Sequence, residues 1–151
     1  MTTYPTLIHE RVAQAQQGLN PTVICKMPSG WAVMCDAQFL PGYCILLSDP
    51  VAADLNVLDE EQRKQYLYDM TIIGDALLEV TDAYRINYET LCNLEPALHT
   101  HIVPRYMSEP EYHRSKPPFF YDAEFRASRP FDAQRDQALM EKLAAAIQSR
   151  L

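Results

Sequence analysis

Two of the chain's four histidines, His99 and His101, stand two residues apart in the run Pro96-Ala97-Leu98-His99-Thr100-His101-Ile102-Val103-Pro104-Arg105. Successive side chains of an extended strand point to opposite faces. The two imidazoles therefore share a face with Ala97 and Val103, while Leu98, Thr100 and Ile102 take the other. Imidazole titrates near neutrality and serves as a base, a nucleophile or a metal ligand. A lone histidine in an apolar strand would read as a satisfied core residue; a same-face pair closed by Pro-Arg points to a reactive site.

The remaining candidate ligands are dispersed. Cys25, Cys35, Cys44 and Cys92 stand singly among apolar residues, with no Cys-x-x-Cys pair, and read as buried reduced thiols. Structural zinc sites draw their ligands in closely spaced pairs, and here only the histidines are close, so no metal and no cofactor is expected. A formal net charge of −7 without a basic cluster disfavours a surface that grips long nucleic acid, yet leaves room for a small phosphate ligand. The terminus Met1-Thr2-Thr3-Tyr4-Pro5 has neither a positive start nor an apolar core, and no apolar run approaches a membrane span. A cytoplasmic protein with no membrane partner is expected, forming one domain over residues 1–151.

The histidine strand needs a sheet around it. Leu7, Ile8, Val12 and Ala15 recur at helical spacing ahead of a Gly18-Leu19-Asn20-Pro21 break and predict a first helix over Thr6–Gln17. Thr22–Lys26 and Trp31–Cys35 read as an antiparallel pair about a Pro28-Ser29-Gly30 turn. After a turn at Leu40-Pro41-Gly42, the continuous apolarity of Tyr43–Leu47 suits a central strand covered on both sides. Asp59 and Gln62 have capping-box spacing ahead of a long helix, whose stripe Tyr66, Met70, Ile73, Leu77 and Val80 reads as core. Gly74 within it permits close approach to a strand. Tyr84–Leu91 and Ala97–Pro104 are two further strands, joined closely enough to be antiparallel neighbours. The stretch 105–130, rich in proline and aromatics, is expected to be irregular but packed, and Asp132 opens a last helix with Leu139, Leu143 and Ile147 on one stripe. About five antiparallel strands, a long helix and flanking N- and C-terminal helices make an α+β architecture.

These residues resemble the histidine-triad family, whose signature is three histidines alternating with apolar residues and often followed by Pro-Arg. His99 and His101 match the second and third histidines and Pro104-Arg105 the pair that follows; Ala97 stands at the first. Pro41-Gly42-Tyr43-Cys44-Ile45-Leu46-Leu47 looks like the family's strand ahead of its long helix. Ile86-Asn87-Tyr88-Glu89-Thr90-Leu91-Cys92-Asn93 looks like the stretch before the motif in bacterial members. The likeness covers residues 31–106, is nearest to a bacterial, diadenosine polyphosphate hydrolase-like branch, and leaves residues 107–151 as an aromatic, proline-rich segment plus a helix.

The resemblance implies a histidine-triad-like fold, a homodimer, and hydrolysis or transfer at the α-phosphate of a dinucleoside polyphosphate or nucleoside phosphoramidate. It implies His99 as the nucleophile that forms a nucleotidyl-histidine, with His101 steadying phosphate charge. In the family the carbonyl of the first motif position orients the nucleophile, and Ala97 retains one. Asn87 and Asn93 resemble phosphate-contacting positions, Asp36 lies near a ribose position, and Arg105, His113 or Arg114 could replace missing phosphate donors. Each has a structural counterpart: a satisfied strand end for the asparagines, a surface turn for Asp36. His99 itself is expected on the strand surface, dispensable to the core. Beside the enzyme stand two alternatives: a nucleotide-binding regulator with weak or no turnover, and a metal-binding or purely structural dimer.

Overall fold

The computed structural model describes residues 3–151; Met1 and Thr2, part of the terminus read above as free of a targeting segment, lie outside the described residues. The chain runs α1 (Leu7–Gln16), β1 (Val23–Met27), β2 (Gly30–Met34), β3 (Cys44–Ser48), α2 (Glu60–Val80), β4 (Arg85–Glu89) and β5 (His99–Arg105). Short α3 (Glu111–Arg114) and α4 (Ala123–Arg126) follow, and α5 (Ala133–Gln148) closes the chain. The five strands form one antiparallel sheet in the order β1-β2-β3-β5-β4, which puts the histidine strand beside the central one.

The local signals act as their chemistry requires. Thr6 caps α1, Asp59 and Gln62 form a reciprocal capping box on α2, and Asp132 caps α5, each meeting backbone N–H groups that lack helical partners. The first hairpin turns on Pro28-Ser29 alone, because Met27 pairs with Gly30. Glycine is needed there, since a Cβ would overlap the Leu47 carbonyl oxygen of the neighbouring strand. Gly74 gives the close approach expected of it: the Tyr88 phenol of β4 occupies the place of its missing Cβ. Pro104 is tolerated inside the sheet because the β3 pairing ends at Cys44 opposite Ile102, so its missing N–H deprives no partner.

Each face of the sheet has its own cover. Tyr66, Ile73 and Leu77 of α2 and Leu143 and Ile147 of α5 bury one face against Met27, Met34, Leu46, Leu98 and Ile102. On the other face Ile8 and Val12 of α1 pack on Val33, Leu47 and Ala97. Further along, Tyr121 of the segment after β5 joins Phe39, Tyr43 and Val103. Ile45 touches both of these clusters and stays half-buried between them. That gap, with α1 on one side and the C-terminal segment on the other, is where His99 and His101 emerge.

Two expectations are refined. The 105–130 stretch is packed but not uniformly irregular: it carries α3, α4 and a 3-10 turn at Pro118–Phe120. The β4–β5 connection is longer than the sequence pattern implied, because pairing stops at Glu89 opposite His101 and β5 begins at His99.

Candidate functional site

His99 Nδ1 lies 2.7 Å from the carbonyl oxygen of Ala97. A carbonyl only accepts, so this contact places the ring proton on Nδ1 and leaves Nε2 with a free lone pair. His99 is 8% exposed, more enclosed than the strand-surface position expected for it. Cys92 adds to the enclosure: its thiol donates to the His99 carbonyl at 3.4 Å, from a backbone held at φ 56°, in the left-handed region.

His101 is oriented differently. Its Nδ1 is 2.6 Å from the Tyr43 hydroxyl, and its ring centroid is 5.1 Å from that of His99, edge to face. Burial pushes the Tyr43 phenol's ionisation up, so the phenol keeps its proton and donates it to Nδ1. The His101 proton is thereby assigned to Nε2. Burial, and next the neighbouring His99, push the His101 ring down to about 4, which keeps it neutral at physiological pH. The two imidazoles thus present complementary atoms on one face: an acceptor nitrogen on His99 and an N–H donor on His101. Phe119 packs edge-on against His101, 6.0 Å between centroids, so the C-terminal segment walls the pair.

Tyr43 is held by a turn built on Gln38. The fully buried Gln38 amide donates to the carbonyls of Cys35 and Tyr43 and accepts from the Gly42 N–H, while Gly42 adopts φ 97°. Tight turn chemistry immediately before β3 therefore sets the ring that orients His101.

The other sequence-predicted residues divide. Asp36 is exposed and takes both Arg11 guanidinium nitrogens, at 3.2 and 2.7 Å, on the rim of a small cavity of about 100 Å³ that includes Ile8, Val33 and Ile45. Ile45 is the register partner of His101, so this cavity adjoins the histidines. Arg105 is 2% exposed and engaged internally: Nε and Nη2 donate to Glu109, Nη1 to Asn87 Oδ1 and the Lys116 carbonyl, and Nη2 also to the His113 carbonyl. Five N–H groups meet five contacts, which leaves no donor for a phosphate. Arg105 thus ties the C-terminal segment to the sheet, and Asn87 serves it as an acceptor. Asn93 is exposed in the β4–β5 connection.

Three residues near the pair escaped sequence reasoning: Tyr43, Cys92 and Glu89. Glu89 is the cross-strand partner of His101, and its Oε2 is buried without a hydrogen-bond partner. The alternation of Asn87 and Glu89 on one face of β4 was the signal available for it. Among the described residues, no three His, Cys, Asp or Glu side chains group as metal ligands, and no helix is long and apolar enough to cross a membrane.

No family model and no curated protein matches the sequence. Solved structures do match. A histidine triad protein from Bradyrhizobium japonicum shares 25% identity over 83% of this chain and 89% of its own, with TM-score 0.66. A histidine triad protein from Marinobacter aquaeolei is 18% identical over 95% and 97%, with TM-score 0.74. One from Sinorhizobium meliloti is 19% identical over 85% and 88%, with TM-score 0.67. The chain has the α+β fold of the histidine-triad proteins, and these likenesses support that family.

Proposed function

We propose that this chain is a nucleotide hydrolase or nucleotidyl transferase of the bacterial, diadenosine polyphosphate hydrolase-like branch of the histidine-triad family, with Ala97 at the first motif position. The reading is carried by one observation: the Ala97 carbonyl holds His99 Nδ1–H at 2.7 Å, so Nε2 is left as an unprotonated nucleophile. Nε2 attacks the α-phosphorus of a dinucleoside polyphosphate or nucleoside phosphoramidate, and the bond from phosphorus to the leaving group breaks. Water then attacks the nucleotidyl-histidine, releasing the nucleoside monophosphate and restoring the ring. The neutral His101 donates from Nε2 to a non-bridging oxygen as charge builds there. The nucleoside lies in the cavity between α1 and the sheet, where Asp36 meets the ribose by exchanging its contact with Arg11. Asn93, exposed in the connection ahead of β5, contacts the phosphate in this reading. The active form is a cytoplasmic homodimer joined through α2 and the exposed edge strand β4.

A catalytically weak nucleotide-binding regulator is the second reading, favoured by the absence of an imidazole at Ala97. One experiment separates the two. The purified protein and His99→Ala are each mixed with an adenosine phosphoramidate and a diadenosine polyphosphate, and release of adenosine monophosphate is followed. Turnover by the wild type that vanishes in the variant is expected; nucleotide binding without turnover in the wild type would favour the regulator.

A further inference from the structure

Glu89 ends β4 directly opposite His101. Opposed residues of an antiparallel pair project to one face with Cβ atoms roughly 4.5–5.5 Å apart, so the carboxyl belongs to the face of the histidine pair. Its Oε2 is buried and unpartnered. An unpartnered buried carboxyl oxygen forfeits a hydrogen bond, and a catalytic role is one of the recognised reasons for such a group to persist. Burial raises the Glu89 carboxyl above the usual range, and the Arg105 guanidinium opposes this only in part.

The surroundings point the same way. Glu89 lines an open cleft of about 430 Å³ between β4 and residues 114–117, together with Asn87, Lys116 and Arg114. Arg114 Nε is also buried without a partner. An unpartnered carboxyl oxygen and an unpartnered guanidinium N–H thus line one cleft, with Glu89 opposite His101, without bonding each other. The histidines themselves cannot supply an acid: His99 commits its proton to Ala97, and His101 stays neutral at physiological pH. The titratable and charged groups around Glu89 include His101, Tyr43, Arg105, Arg114 and Lys116.

Resting on the nucleophile reading above, we propose that Glu89 is the catalytic acid that protonates the leaving group, which departs into the cleft lined by Arg114 and Lys116. As the bond from phosphorus to the leaving nitrogen or oxygen breaks, its electron pair stays on that atom and takes the Glu89 carboxyl proton. The resulting carboxylate accepts a proton from the water that attacks the nucleotidyl-histidine. The pair of the phosphorus–Nε2 bond then returns to the His99 ring.

The test compares Glu89→Gln, which keeps the shape and loses the transferable proton, with the wild type on two substrates. Adenosine 5′-phosphoramidate needs a proton on its departing amine; the p-nitrophenyl ester of adenosine monophosphate releases a phenolate that does not. The variant is expected to lose roughly 100-fold more activity on the phosphoramidate than on the ester, the lower end of what a positioned acid contributes. Equal losses on the two, complete loss on both included, or no loss on either would overturn the role of Glu89 while the wild-type ester activity left the nucleophile reading standing. A wild type that cleaves neither substrate would bring down that reading and the acid with it.

Discussion

The Nδ1 of His99 donates to the carbonyl oxygen of Ala97, two residues earlier in the chain, and the methyl side chain of Ala97 is fully buried against α1. The orientation of the His99 ring therefore depends on the backbone of position 97, while the Ala97 side chain belongs to a packed cluster with Ile8, Val12, Val33 and Leu47. Ala97→His is expected to lower stability by about 1–3 kcal/mol, as overpacking a filled core does, and to leave the His99 proton on Nδ1. Denaturant unfolding and the nitrogen chemical shifts of His99 measure the two effects. An unchanged midpoint, or a proton moved to Nε2, would contradict this account.

Arg105 and Glu109 form a buried ion pair at 3.0 Å, with side chains 2% and 4% exposed, and the guanidinium also holds Asn87 and the carbonyls of His113 and Lys116. Lysine has three donors on one nitrogen and cannot reproduce this fork. Arg105→Lys should therefore destabilise the fold by about 2–4 kcal/mol and loosen residues 109–117, read as faster amide exchange there. A variant with native stability that instead loses nucleotide affinity would mean that the guanidinium meets phosphate after all.

His101 sets a pH dependence whose sign follows from its environment. Its folded value of about 4 lies below the ordinary 6.5, chiefly because the ring is buried. The unfolded chain then takes up a proton before the folded one does, so stability is fully present above 6.5 and is lost as pH falls through about 4. The contribution is at most about 3 kcal/mol. His101→Gln should flatten the fall in unfolding free energy across that window relative to wild type. Identical slopes in the two proteins would show that the ring does not titrate as described.

Much of the framework was readable because it depends on local chemistry. Alternation placed His99 and His101 on one face, a helical stripe marked α2, and Asp59 with Gln62 marked its start; each rule concerns neighbours in sequence. Strand ends were displaced by a residue or two where pairing, a long-range property, ends the element. The segment 105–130 read as packed, but its short helices rest on contacts such as that of Tyr121 with Phe39, far apart in the chain.

By itself, then, the sequence determined the antiparallel α+β plan, the pairing of the two imidazoles and the retained carbonyl at Ala97. Only the tertiary structure decided the chemistry of each ring. It brought Tyr43, 58 residues away, onto His101; it consumed every donor of Arg105 inside the protein; and it buried an unpartnered Glu89 oxygen across the strand from His101. Periodicity reports which face a side chain takes. Protonation, by contrast, depends on burial and on the hydrogen-bond partners that meet it there, and those come from distant parts of the chain.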